Sequence, residues 1–196
     1  YERAIEYTPD FALAHNNLGV ILAENDRVEE AVACFEEARR LTPYYAQAHC
    51  NIGNAYRTLG KLDDAIVCYQ RALALVPNYP AALSNLGVAL MDNGFPDEAV
   101  TQLQMALTLD PNCAHIHSNM GTALARVGRF DDEMTAYRTA IQLDPHAIRA
   151  HNNLGMIRAE QGRIQDAAGH FEAAVRLLPG YAEAWTNLGL AYLDLD

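Results

Sequence analysis

Histidine is the residue of this sequence that most readily suggests chemistry, because imidazole serves as a metal ligand and as a general acid or base. The sequence has seven histidines. Four share one position of a 34-residue spacing, namely His15, His49, His117 and His151, and Trp185 takes the same position further on. Histidines one spacing apart are too distant to share an ion, and His115 points away from His117 on a helix. We predict packing positions with one ring nitrogen hydrogen-bonded, and neither a metal nor a cofactor.

Paired acidic residues also suggest chemistry, because two adjacent carboxylates can act as general acid and general base. Such pairs stand at 29–30, 63–64, 97–98 and 131–132. All four fall in the first turn of a predicted helix, where the helix dipole favours negative charge. The sequence contains no phosphate-binding glycine loop, HExxH motif or nucleophile elbow. We therefore predict that the chain itself is not catalytic.

One amide recurs at every 34-residue spacing without exception. We name this set the asparagine ladder: Asn17, Asn51, Asn85, Asn119, Asn153 and Asn187. An asparagine side chain offers one acceptor and two donors, so a row of them can hold the C=O and N–H groups of an extended peptide. The residue before each rung is Asn16, Cys50, Ser84, Ser118, Asn152 or Thr186, and we expect these to face the same surface. Five further residues are predicted to line it: Asn54, Arg57, Val88, Met91 and Thr122.

The elements that position these residues follow from the repeat itself. The string AHNNLG occurs at 14–19 and again at 150–155, four spacings later. Within 46–79, two stripes of apolar residues at helical spacing are separated by Gly60, and Pro77 ends the second. Each unit is therefore predicted to be a helix, a tight turn and an antiparallel helix. Fixed self-similarity at this period indicates a solenoid, in which neighbouring units bury each other's apolar faces.

The period and these motifs resemble the tetratricopeptide repeat (TPR) family over the whole chain. We divide it into full repeats at 12–45, 46–79, 80–113, 114–147 and 148–181, with partial repeats at 1–11 and 182–196. The resemblance implies an all-α, right-handed solenoid (superhelix) of antiparallel helix pairs, whose concave groove is lined by the first helix of each unit.

Two residues depart from the pattern of the repeat. Asp26 stands where the other turns have glycine, and we expect it to adopt the left-handed conformation. Glu133 replaces a small alanine, and we expect a local loosening between the helices of that unit, because a buried carboxylate is costly.

Charge limits the kinds of partner. The net charge of −11 argues against non-specific nucleic-acid binding and against anionic membrane surfaces. No apolar run approaches the roughly 18 residues of a membrane span. The cysteines, Cys34, Cys50, Cys68 and Cys113, form no CxxC pair and indicate free thiols in a reducing compartment, so we expect a cytoplasmic protein.

Three hypotheses of function follow. The first is a scaffold for protein–protein interaction that binds an extended peptide or a partner helix in its groove through the asparagine ladder. The second rests on a resemblance to the TPR arm of O-GlcNAc transferases, where such a ladder is associated with the polypeptide substrate. It implies a substrate-recruiting arm of a larger glycosyltransferase, and a sugar-nucleotide-binding domain encoded downstream would support it. The third is head-to-tail self-association through the start YERAIEY and an exposed set on the last helix: Trp185, Leu188, Tyr192 and Leu195.

A structural role for the ladder stays open beside these hypotheses. In that interpretation, each asparagine bonds backbone groups of the adjacent repeat, and its recurrence reflects the duplication of one unit.

Overall fold

The computed structural model describes residues 1, 5 and 7–195. These residues form eleven α-helices and no β-strand. In chain order the helices are α1 (Ala12–Glu24), α2 (Val28–Leu41), α3 (Ala46–Thr58), α4 (Leu62–Leu75), α5 (Pro80–Asp92), α6 (Pro96–Leu109), α7 (Ala114–Arg126), α8 (Phe130–Leu143), α9 (Ile148–Glu160), α10 (Ile164–Leu177) and α11 (Ala182–Leu193). Consecutive helices pack as antiparallel pairs, which confirms the predicted all-α repeat architecture.

The chain divides into two compact units. Unit 1 comprises residues 1–109 and contains the pairs α1/α2, α3/α4 and α5/α6. Unit 2 comprises residues 110–196 and contains α7/α8, α9/α10 and the single helix α11. Within each unit, helices contact their neighbours along the chain, and some first helices also contact the first helix of the next pair.

The turn inside each pair is a tight reversal with one left-handed residue. Gly60 has φ of +72°, and the N–H of Lys61 then donates to the carbonyl of Tyr56 at 2.9 Å, which closes the end of α3. Asp26 adopts φ of +62°, and the N–H of Arg27 donates to the carbonyl of Leu22 at 2.9 Å. The expected left-handed conformation of Asp26 is therefore confirmed.

A glycine in each first helix allows the second helix to approach closely. A Cβ atom on Gly53 would lie 2.7 Å from the ring of Tyr69, which is fully buried. Gly19 faces Phe35 and Gly155 faces Phe171 in the same way. Each aromatic ring thus fills the space that the missing side chain leaves, and this contact holds the pair together.

Glu133 lies on the side of its helix pair where the packing is less extensive. Helices α7 and α8 pack against each other as extensively as the other pairs, so the loosening predicted between them is not found there. Contact between α8 and α9 is less extensive than between the corresponding helices of other repeats, and a cleft lies on that side. The less extensive packing therefore lies between the repeat of Glu133 and the next one.

The two segments proposed for head-to-tail contact lie at the ends of the chain. The structure differs from the prediction at one residue of the last helix, and it describes the first segment only in part. Residues 2–4, 6 and 196 lie outside the described residues, and most of the segment YERAIEY, which the self-association hypothesis uses, falls among them. On α11, Trp185 and Tyr192 are exposed as expected, but Leu188 is buried against Ala167 and Phe171. The prediction that Leu188 is exposed was wrong, because its side of α11 packs on α10. Every helix in the described part of the chain is too short or too polar to cross a membrane.

Candidate functional site

In unit 1, two of the ladder asparagines, Asn51 and Asn85, donate hydrogen bonds to the preceding repeat. The Nδ2 atom of Asn51 donates to Oδ1 of Asn16 at 2.8 Å. The Nδ2 atom of Asn85 donates to Oδ1 of Asn54 at 2.9 Å, with a longer contact of 3.7 Å to Sγ of Cys50. Asn51 and Asn85 therefore each join two repeats through the amide nitrogen.

Two rungs of unit 2, Asn153 and Asn187, donate in the same way. The Nδ2 atom of Asn187 donates to Oδ1 of Asn152 at 3.0 Å, and the Nδ2 atom of Asn153 donates to the hydroxyl of Tyr137 at 2.8 Å. The Tyr137 hydroxyl lies 3.1 Å from Oγ1 of Thr122, which donates to the carbonyl of Ser118. The acceptors of the four nitrogens are side chains, whereas the sequence-based structural alternative expected backbone groups.

The residues that precede the rungs lie between repeats, not on an open surface. Asn16, Cys50 and Asn152 are each at most 3 % exposed, and Ser84 and Ser118 are buried as well. The expectation that this position faces the groove was wrong at these five residues, whereas Thr186 is exposed. The buried amides serve as acceptors for the rungs, a pairing across 35 residues that the sequence does not reveal.

The carbonyl oxygens of three rungs remain available on the surface. Among the described residues, nothing donates a hydrogen bond to Oδ1 of Asn51, Asn85 or Asn187, and none of these atoms is a buried unsatisfied group. Asn17 and Asn153 accept only long contacts, of 3.4 and 3.5 Å, from the residue before them. Asn119 is the most buried rung, with 7 % exposure.

The other predicted groove residues are half-buried on the first helices of their pairs. Asn54 accepts hydrogen bonds from Asn85 and from the hydroxyl of Tyr69, the latter at 2.8 Å. Arg57 lies 3.6 Å from the carboxylate of Asp92, and its Nε atom is buried without a partner in the described structure. Burial raises the pKa of Tyr69 well above its ordinary value, so its hydroxyl stays protonated as a donor. Val88 and Met91 add apolar surface, and Thr122 belongs to the network around Tyr137.

Two clefts open beside the ladder at equivalent places, three repeats apart. The cleft of unit 1 has a volume of about 200 Å³ and is lined in part by Asn51, Asn54 and Phe35. The cleft of unit 2 has a volume of about 430 Å³ and is lined in part by Asn153 and Tyr137. Each lies between a helix pair and the first helix of the following repeat, so each has a rung of the ladder in its wall.

The larger cleft differs from the smaller one at two of its lining residues, Phe130 and Glu133. Phe130 is 67 % exposed, whereas Val28 at the same position of unit 1 is buried. Glu133 is only 8 % exposed. Its burial, and secondly the charge of Glu160, raise the pKa of the Glu133 carboxyl above its ordinary value.

The histidines have a structural partner that accounts for their spacing. The Nε2 atoms of His15, His49, His117 and His151 lie 2.9 to 3.1 Å from the carbonyl oxygen of the proline six residues earlier. Nε1 of Trp185 donates to Pro179 in the same way. Because a carbonyl only accepts, each of these Nε2 atoms carries a proton. The prediction of packing positions with one bonded nitrogen is confirmed.

One pair of histidines was missed in the sequence. The Nδ1 atoms of His151 and His170 lie 3.3 Å apart, across α9 and α10. Since Nε2 of His151 carries its proton, Nδ1 is the acceptor when the ring is neutral, and His170 donates. Burial lowers the pKa of both imidazoles, and the charge of His151 lowers the pKa of His170 further. The sequence could have indicated this pair, because residues 19 positions apart can lie opposite each other on the two helices of one repeat.

The described residues contain neither a cluster that could bind a metal ion nor a cysteine with a lowered pKa. No group of three or more histidine, cysteine, aspartate or glutamate side chains there is placed to hold an ion. The four cysteines are free thiols, and burial raises the pKa of Cys68 to about 11. A thiol with a raised pKa is a poor nucleophile at neutral pH.

Family models match the chain along its length. A model described as TPR repeat matches residues 21–60 and 53–94. Models described as tetratricopeptide repeat match residues 86–148, 118–182 and 152–196, and residues 1–33. Comparison with curated proteins gives no significant match.

Solved structures with the same fold include three proteins below 25 % identity. YrrB, described as a TPR protein with an unusual peptide-binding site, is 24 % identical with a TM-score of 0.65, and the match covers 94 % of this chain and 95 % of that one. TTC0263 of Thermus thermophilus is 22 % identical with a TM-score of 0.79, over 93 % and 99 %. Yeast Tom70 is 19 % identical with a TM-score of 0.80, over 99 % of this chain and 42 % of that one. With the helix pairs, close glycine–aromatic contacts and matching models, the chain belongs to the tetratricopeptide repeat family and is a TPR protein–protein interaction module.

Proposed function

We propose that the chain binds an extended segment of a partner protein along the first helices of its repeats, with the carbonyl oxygens of the asparagine ladder as acceptors for the segment's backbone N–H groups. The observation that carries this proposal is that the nitrogen and the oxygen of a ladder amide have different environments. The nitrogen is used between repeats, and the oxygen of Asn51, Asn85 and Asn187 is left without a donor in the described structure.

This arrangement makes the ladder one-sided. The sequence suggested that each rung could engage both C=O and N–H of a peptide, but a nitrogen already donating to the neighbouring repeat has less capacity for a ligand. A row of acceptors favours backbone N–H groups, which every residue except proline supplies. Such binding depends little on the identity of the ligand's side chains, so the clefts beside the ladder would supply selectivity.

The relatives and the charge are consistent with this proposal. YrrB is described as having a peptide-binding site, and it has the same fold. The net charge of −11 favours neutral or basic segments over acidic ones, since like charges repel at close approach.

The decisive comparison is between Asn51→Ala and Asn16→Ala. Both substitutions remove the hydrogen bond between these residues, but only the first removes the exposed oxygen, because Asn16 is buried. Proteins captured from an extract of the source cells by the wild-type chain are identified, and their affinity for each variant is then measured. We expect Asn51→Ala to weaken binding while Asn16→Ala binds like the wild type, once both are shown to be folded at the assay temperature.

Two results would contradict the proposal. Equal loss of affinity in both variants assigns the ladder to the joining of repeats alone. Unchanged affinity in both places the binding surface elsewhere on the chain. The same pair of changes can be made in unit 2 at Asn187 and Asn152, which form the equivalent bond.

The two other hypotheses remain narrower proposals. Recruitment of substrate to a glycosyltransferase of the O-GlcNAc type would use the same ladder, and a sugar-nucleotide-binding domain encoded with this chain would support it. Head-to-tail self-association has the exposed residues Trp185, Leu190 and Leu193 of α11 in its favour. A molar mass that stays monomeric in light scattering as concentration rises would end that proposal.

A further inference from the structure

The cleft of unit 2 contains a carboxylate that the fold does not use. Glu133 is only 8 % exposed, and it stands where the other full repeats have a small alanine: Ala31, Ala65, Ala99 and Ala167. No hydrogen bond or ion pair from the described residues reaches its side chain. Its oxygens are not among the fully enclosed unsatisfied atoms, and Glu133 lines the cleft, so the carboxylate opens into it.

The walls around this carboxylate are mainly apolar. Phe130, Met134, Met156 and Ile157 line the same cleft, and Phe130 turns 67 % of its surface outwards. A volume of about 430 Å³ is within the range of sites that enclose small ligands or single side chains. The cleft therefore combines a hydrophobic passage with one desolvated acceptor.

Charged groups at the cleft are predominantly acidic. Asp131 and Glu160 line it together with Glu133, and the cation in its lining is Arg126. Arg126 is exposed, and no ion pair joins it to Glu133 in the described structure. Three carboxylates and one guanidinium therefore line the cleft, and this balance of charge favours a cationic ligand.

We propose that this cleft takes one basic side chain, arginine or lysine, of a bound peptide segment, with its aliphatic stem against Phe130 and Met134 and its cation on the carboxylate of Glu133. Long basic side chains match this shape because they carry an apolar stem and a charged head. The inference rests on the proposed peptide-binding function and adds a specificity-determining residue to it.

The energetics of Glu133 support this assignment. Its burial, and then the neighbouring charge of Glu160, disfavour the ionised form, which raises the pKa of the carboxyl. A cation held beside it reverses both effects, because the ion pair restores a partner to a desolvated charge.

Unit 1 provides a natural contrast. Its equivalent cleft has less than half the volume, Ala31 stands in place of Glu133, and Val28 is buried in place of Phe130. The basic side chain should therefore be recognised at the cleft of unit 2 and not at its counterpart in unit 1.

The test uses blocked glycine–serine peptides with one central guest residue, either arginine or its neutral isostere citrulline, titrated into the ¹⁵N-labelled chain. We expect the arginine peptide to shift the amide signals of residues 126–134 and 153–161 and to bind about tenfold or more tightly than the citrulline peptide, since the charge adds a charge-assisted hydrogen bond. In Glu133→Gln, the preference for arginine should disappear.

The matched control is Glu98→Gln, an exposed glutamate in the first turn of α6, which makes the same change in net charge away from the cleft. It should keep the preference. Equal binding of the two peptides to the wild-type chain would overturn the inference without any variant. So would a preference that persists in Glu133→Gln, or an absence of shifts at the cleft.

Failure here is distinguishable from failure of the proposed function. The comparison of Asn51→Ala with Asn16→Ala concerns unit 1 and leaves Glu133 intact. A ladder that binds its partner while the arginine preference is absent would remove only the specificity assigned to Glu133.

Discussion

At the scale of single residues, the asparagine ladder shows one side chain serving two surfaces. The amide nitrogen of Asn51 bonds Asn16 of the preceding repeat, and its oxygen stays accessible. Asparagine suits this position because it carries a donor and an acceptor on one short stem. A serine or an aspartate would supply a different set of groups, so both the stacking of repeats and the proposed binding favour the same residue.

Glu133 leads to a prediction about stability and pH. Glu133→Ala restores the residue of the other repeats, and the cleft is open, so no closed cavity forms. We expect the variant to be more stable than the wild type at neutral pH by about 1 kcal/mol, the scale of an uncompensated buried polar group. Urea unfolding of both proteins, followed by circular dichroism, measures the difference.

The difference in stability between these two proteins should depend on pH. The pKa of Glu133 is raised in the folded state, so the folded state binds the proton more readily than the unfolded state does. The resulting stabilisation of the wild type is present below the unfolded pKa of about 4.3 and is lost as the pH rises through the folded pKa. The variant's advantage should therefore shrink between about pH 7 and about pH 4. A constant advantage, or a similar gain in Glu98→Ala, would contradict this account.

The sequence predicted much at the residue scale, but it missed the pairing of residues across repeats. The left-handed Asp26 and the bonded histidine ring follow from local pattern, because a turn or a short segment contains both partners. The acceptors of the rungs lie in another repeat, as with Asn187 and Asn152, and only the packed structure brings them together. The site residues of the ladder stay a prediction until binding is measured.

At the scale of helices, the repeated ring-to-proline bond fixes how each pair begins. His49 donates to the carbonyl of Pro43, so the start of α3 is tied to the loop that ends α2. The third repeat has Leu83 at this position, which is buried and has no side-chain N–H to donate. The start of the first helix is therefore held in two ways, by a hydrogen bond to the preceding loop or by burial of an apolar side chain.

This bond should make a small, measurable contribution to stability. Trp185→Phe keeps an aromatic ring but removes the N–H that bonds Pro179, and His49→Leu installs the residue of the third repeat. We expect each change to lower the free energy of unfolding, by about 0.5 to 1.5 kcal/mol, with the smaller loss at the more exposed Trp185. Chemical denaturation provides the measurement, and wild-type stability in both variants would show that the bond adds nothing to packing.

At the scale of the whole molecule, contacts are local in sequence. Within each unit, every helix packs on its neighbours along the chain, and the glycine–aromatic contacts join helices of one pair. Stability is therefore approximately a sum over adjacent elements. The period predicted this arrangement, whereas the division into two compact units has no counterpart in the repeat pattern.

A fragment should test the independence of unit 1. We expect residues 1–109 to be helical and to unfold cooperatively, because the three pairs of that unit are complete. A fragment of residues 1–94 lacks α6 and leaves the apolar side of α5 uncovered, so it should unfold at lower urea concentration. Circular dichroism during urea titration distinguishes them, and a fragment 1–109 without a cooperative transition would refute the prediction.

The bonds across repeat boundaries also limit how such an array can be rearranged by recombination. A repeat that is copied or exchanged carries its own rung, but the acceptor comes from the repeat before it: Asn16 for Asn51, and Tyr137 for Asn153. Because these acceptors differ, a repeat moved to another place in the array can meet a preceding repeat that lacks its acceptor. The amide nitrogen of its ladder asparagine is then left unpaired. The hydrogen bonds between repeats therefore favour one order of the repeats. A designer who reorders them must keep each donor asparagine next to a repeat that supplies its acceptor.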